Sequence, residues 1–186
     1  MSSTTSSGPL EPDNGVSVEA GRLCSESARP VTAEQLAGLE FFRGISIEHL
    51  RQIARYSKRC HFEVGETLFR QGDVANCFFV VNSGRVLIEF GGGGGGPVPV
   101  QEIGPGEPVG FSWFFNPENV HFTSRALERV EAVFFYGTLL REDCEIDHEL
   151  GYELMRRTSQ VMLKRLEALA ALLSKALAER PGARAR

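Results

Sequence analysis

From Thr32 onward the apolar positions fall first at helical spacing and then at the spacing of strands. Thr32 stands as a helix N-cap, with Gln35 three residues on in the capping-box position, and Leu36, Leu39, Phe41 and Phe42 supply an apolar side. Gly44 breaks this segment. Ser46 caps a second helix in which Leu50, Ile53 and Ala54 recur at helical spacing. After Ser57 the pattern changes to alternation and short apolar runs. Strands are predicted over residues 59–63, 66–70, 76–82, 85–90, 98–103, 121–127 and 130–136. Turn residues separate them at Gly65, Gly72-Asp73, Asn82-Ser83-Gly84, Gly104-Pro105-Gly106 and Gly110. Many short strands without strand–helix–strand alternation imply a mainly β fold, an antiparallel barrel or double-sheet roll with flanking helices, and exclude a parallel α/β sheet.

Helical spacing returns at Thr138. A short helix over 138–144 is followed by a long one, capped by Asp147, running to about Glu179 and stopped by Pro181-Gly182. Met155, Met162 and Leu169 recur every seven residues, Leu166 and Leu173 fill the alternate seam, and Ser159 interrupts it. A small roll cannot cover so many apolar residues on one helix. The simplest outlet is the same helix of a second subunit, so Met155, Met162, Leu166, Leu169 and Leu173 are expected at a homodimer interface. The expected organisation is an N-terminal arm (1–31) without hydrophobic period, a roll with its leading helices (32–137), C-terminal helices (138–179) and a basic tail (180–186).

Composition narrows the function. The chain has 186 residues, 42% hydrophobic, with a net charge of −4, so bulk electrostatics give no pull toward nucleic acid or anionic lipid. No apolar run approaches a membrane span, and the start lacks the charge and apolar run of a signal peptide, so a cytoplasmic protein is expected. Cys24, Cys60, Cys77 and Cys144 are widely spaced with no CxxC pair, as ordinary reduced thiols would be; no metal site is expected. The run Gly91–Gly96 lacks the Lys and the helix of a phosphate loop and suits a hairpin tip. No nucleophile elbow, HExxH or paired-acid motif stands out, and the acidic run Asp143, Glu145, Asp147, Glu149 suits a helix junction, so no enzyme activity is expected.

Several segments together carry a family resemblance. Phe41-Phe42-Arg43-Gly44-Ile45 with His49-Leu50, Gly65-Glu66-Thr67-Leu68-Phe69 with Gln71-Gly72-Asp73, Phe78-Phe79-Val80-Val81 with Ser83-Gly84-Arg85-Val86, and Gly104-Pro105-Gly106-Glu107 through Gly110 follow one another in order. This series resembles the cyclic-nucleotide-binding domain of Crp/Fnr-type bacterial regulators, over about Gln35 to Glu179. The resemblance implies a double-stranded β-helix (a jelly-roll-like β-roll) with a long C-terminal dimerisation helix. It implies a regulatory, signal-transducing domain that binds cAMP or cGMP and signals to a partner protein. Only seven residues follow Glu179, too few for the helix-turn-helix module of those regulators, so a stand-alone domain without direct DNA binding is expected.

In nucleotide-binding members the phosphate-binding cassette carries a Glu just after its glycine and an Arg before a small residue. Here Gly110 is followed by Phe111, Ser112, Trp113, Phe114 and Phe115; Val120 or His121 falls near the arginine position, and Arg125-Ala126 lies later. The candidate ligand residues are Gly110, Phe111, Ser112, Trp113, His121 and Arg125. Three readings stay open. The aromatic cluster fills the pocket, leaving a ligand-independent interaction module. Or it builds a pocket for a more apolar ligand. Or a nucleotide still binds through Ser112, Arg125 and backbone N–H groups.

Overall fold

The computed structural model describes residues 30–92, 96–115 and 119–178. The expected arm and basic tail lie almost wholly outside these residues, as does the tip of the glycine hairpin. Two leading helices, α1 (Ala33–Ala37) and α2 (Ile47–Ala54), flank a 3-10 turn at Glu40–Phe42. Thr32 caps α1 with a complete capping box, and Ser46 caps α2 through the His49 N–H. Eight strands follow: β1 (Ser57–Phe62), β2 (Thr67–Phe69), β3 (Cys77–Ser83), β4 (Val86–Gly92), β5 (Gly96–Ile103), β6 (Pro108–Val109), β7 (Thr123–Ala126) and β8 (Val130–Tyr136). They form two antiparallel four-stranded sheets, ordered β1-β8-β3-β6 and β2-β7-β4-β5. This is the mainly β roll that the alternation implies. The seven expected strands are present, 130–136 with the expected ends and the other six with shifted ones, and β6 is additional.

The roll closes through tight corners. Gly84 has φ +84°, and a Cβ there would stand 2.3 Å from the Arg129 carbonyl oxygen, so only glycine fits the β3–β4 corner.

Two cores sit on opposite faces of the first sheet. Strand β3 is buried on both faces. Phe79 and Val81 point into the roll with Phe62, Phe69 and Phe134, whereas Phe78 and Val80 point outward among Phe42, Phe135, Leu150 and Leu154. The helices α3 (Gly137–Ile146) and α4 (His148–Ala178) cover that outer face. Asp147 separates them; its carboxylate accepts the Leu150 N–H at 3.1 Å and meets His49 Nε2 at 3.2 Å, and the first of these contacts leads in holding its pKa below the ordinary value. Cys77 and Cys144 are buried free thiols, with burial pushing them up to about 12 and about 11. Cys60 departs from the expected reduced state: it is disulfide-bonded. No helix among the described residues is long and apolar enough to cross a membrane.

Candidate ligand site

The cassette begins at Gly110, whose φ of +84° turns the chain out of β6; a Cβ there would press the Phe69 ring at 2.9 Å. A single 3-10 turn, Ser112–Phe114, follows. So short a turn sends neighbouring side chains in different directions. Phe111 faces a small cavity between the roll and α4, while Trp113 faces the helical core.

Trp113 is 2% exposed and stacks on Phe78 at 4.8 Å, and Phe78 stacks in turn on Phe135 at 4.6 Å. Gly137, the first residue of α3, lies so close that a Cβ on it would stand 2.7 Å from Trp113 Cβ. Arg141 of α3 donates to the Trp113 carbonyl at 3.0 Å. Trp113 therefore anchors the cassette to the helices. Trp113, expected among the ligand residues, packs in the helical core, and the three-residue turn puts it on the opposite side from Phe111.

Arg125 also faces away from this cavity. Side chains alternate along β7, so Ser124 points inward and Arg125 outward. Arg125 makes a two-bond contact with Glu89, Nη2 at 2.7 Å and Nε at 3.3 Å, and it does not line the cavity. Glu89 is buried, so removing its partner strands a carboxylate. Arg125→Ala should cost about 1–2 kcal/mol in denaturant unfolding and leave ligand affinity unchanged.

The cavity collects Gly110, Phe111, Ser112 and His121 of the six expected residues. It adds two polar groups not singled out from the sequence, Ser124 and Arg165. Ser124 is 2% exposed and its Oγ has no hydrogen-bond partner. Arg165 comes from α4 and is 5% exposed. Its Nη2 donates to the Pro108 carbonyl at 3.2 Å, its Cζ lies 4.9 Å from the centre of the Phe111 ring, and its Nε has no partner. Burial pulls the guanidinium down to about 10, against a smaller upward pull from Glu107. The cavity itself measures about 20 Å³, room for roughly one water and far below the ~300–1,000 Å³ of a small-molecule pocket.

Four of the five residues expected at the pairing seam are exposed on the long helix. Met155, Met162, Leu166 and Leu173 are exposed at 38%, 37%, 64% and 61%. Leu169 instead packs against the interior of its own roll.

Residues 59–145 match the family model of the cyclic nucleotide-binding domain. The domain's fold is similar to that of a protein from Geobacter metallireducens GS-15 described as cyclic nucleotide-binding, with a TM-score of 0.66 and 27% identity over 73% of this chain and 98% of that one. It is also similar in fold to the Thermus thermophilus catabolite activator protein, with a TM-score of 0.57 and 23% identity over 75% of this chain and 63% of that one. In sequence it is similar to acetyltransferase Pat of Mycolicibacterium smegmatis, 39% identical over 80 residues. That match takes in 43% of this chain and 24% of the enzyme, so the chain spans about a quarter of the curated relative it matches. The resemblance expected from the motifs is thus met by the cyclic nucleotide-binding domain model over residues 59–145 and by the fold.

Proposed function

We propose that the chain is a regulatory sensor whose cyclic nucleotide-binding domain takes an anionic ligand of the cyclic nucleotide class, cAMP or cGMP, and signals to a partner protein through a homodimer. The observation that carries this reading is the environment of Arg165. A guanidinium has five N–H donors, yet this one is buried with a single backbone acceptor and an idle Nε, next to an idle Ser124 Oγ. Burying a cation so poorly paired is costly, and a phosphate arriving between Arg165 and Ser124 would relieve that cost.

A nucleotide does not fit a cavity of about 20 Å³. Admission therefore requires Phe111 and Arg165 to part. Arg165 rides on α4, so filling the cavity and holding the helix in its present place exclude each other. A ligand that prefers the open arrangement shifts the helix by that preference. The exposed stripe of Met155, Met162, Leu166 and Leu173 lies along the same helix, and we assign it to pairing with a second copy. Movement at Arg165 is then felt one residue on, at Leu166.

The aromatic-filled, ligand-independent module is not favoured, because Trp113 belongs to the helical core and only Phe111 of the expected aromatic residues lines the cavity. The likeness to an acetyltransferase falls on 80 residues of this chain, and we read the shared piece as regulatory rather than catalytic.

Thermal melting with millimolar cAMP and cGMP tests the sensor. A melting temperature that climbs with ligand concentration is expected; no change at millimolar levels of either would overturn it. For pairing, light scattering should give a dimer for the wild type and a monomer for Leu166→Glu. A wild type that is already monomeric rules the dimer out.

A further inference from the structure

Arg165 also lines a second cavity, about 300 Å³, between α4, the β5–β6 turn and the 3-10 turn at Glu40–Phe42. Five cationic side chains face it, Arg43, Arg156, Arg157, Lys164 and Arg165, against two carboxylates, Glu40 and Glu107. This concentration of positive charge runs against the chain's net charge of −4. Several of the cations are already answered. Arg43 pairs with Glu40 at 2.5 Å, and Glu153 takes Arg156 and Arg157. Arg157 is also fixed by donating to the Arg43 carbonyl at 2.7 Å, so this wall is held in place. Lys164 is left without an ion pair among the described residues, and Arg165 has its idle Nε. Glu107, the carboxylate nearest in effect to Arg165, already accepts the Gly104 N–H at 2.9 Å. The enclosed side-chain oxygen of Gln101, on the opposite wall, has no partner either.

We propose that this cleft is a second anion site, distinct from the cassette cavity, for a small phosphate-bearing compound. Its size matches the lower end of small-molecule pockets, and the cations left unanswered in it are an ammonium and a guanidinium edge. Guanidinium groups match phosphate oxygens in geometry, and a multiply charged phosphate answers Lys164 and Arg165 together. The inference shares Arg165 with the proposed cassette site and is told apart from it by Lys164, which lines this cleft and not the cassette cavity.

Pyrophosphate is the probe. Calorimetric titration of the full chain should show binding at millimolar pyrophosphate that weakens as salt is added. Lys164 is exposed, so Lys164→Glu keeps the fold, and it should lower affinity by at least about tenfold, the effect of roughly 1.4 kcal/mol. Arg165→Met should lower it as well. Arg129→Glu reverses an exposed charge elsewhere on the roll and should leave it unchanged. Absence of binding in the wild type, or equal binding by the wild type, Lys164→Glu and Arg129→Glu, overturns the proposal.

Discussion

Trp113→Ala should lower the unfolding free energy by about 3–5 kcal/mol, read as a fall in denaturant midpoint at unchanged slope. The side chain is 2% exposed and closes the stack that runs through Phe78 to Phe135. Its removal opens a void bordered by rigid rings and by the start of α3 at Gly137, which cannot collapse readily. Aromatic pairing adds about 0.5–1.5 kcal/mol to the loss from area alone. A second consequence separates this from an ordinary core deletion. Trp113 ties the cassette to α3, so the variant should also show faster amide exchange in residues 111–114 under native conditions. A loss below 1 kcal/mol would mean that Trp113 does not anchor the cassette.

Arg165→Met should do the reverse and stabilise the protein by about 1–2 kcal/mol. A buried guanidinium with one backbone acceptor costs more in lost hydration than its contacts return, and an apolar side chain of similar length avoids that cost. Methionine keeps the contact with the Phe111 ring through its sulfur. The gain is limited because the Pro108 carbonyl loses its donor. The pH dependence has a definite sign. In the folded chain burial pulls Arg165 down to about 10 from its ordinary, higher value, so above about 10 the unfolded chain holds a proton that the folded chain has shed. The penalty is therefore fully present at neutral pH and fades as pH rises past about 10. The advantage of Arg165→Met over the wild type should shrink over the same range. A variant several kcal/mol less stable than the wild type would make Arg165 a structural tie.

The roll was legible in the sequence because short apolar runs at β3 and β8 and glycines at the corners point to the same answer. Strand β6 was not, since two residues, Pro108 and Val109, carry no period. The site was harder because its composition depends on direction more than on content. Phe111 and Trp113 belong to one aromatic run, and only the short turn separates a cavity wall from a core anchor. Ser124 and Arg125 are neighbours on a strand, and the register of β7 against β4 sends the more conspicuous of them outward. Arg165 left a trace: it follows Leu154, Thr158 and Val161 at helical spacing, and Leu169 comes four residues on. The seven-residue seam that assigns Leu169 to pairing draws attention away from that roll-facing stripe. Leu169 sits where the two stripes meet and, partly buried, packs against the roll.

In the proposed sensor a helix-borne cation, Arg165, supplies the charge that the cassette sequence lacks. Calorimetric titration of cAMP and cGMP into the wild type and Arg165→Met tests it most directly. The wild type should bind at least one of the two, and the variant, though more stable, should bind it at least about tenfold more weakly, a difference of 1.4 kcal/mol or more. Equal affinity in the two proteins would contradict the claim.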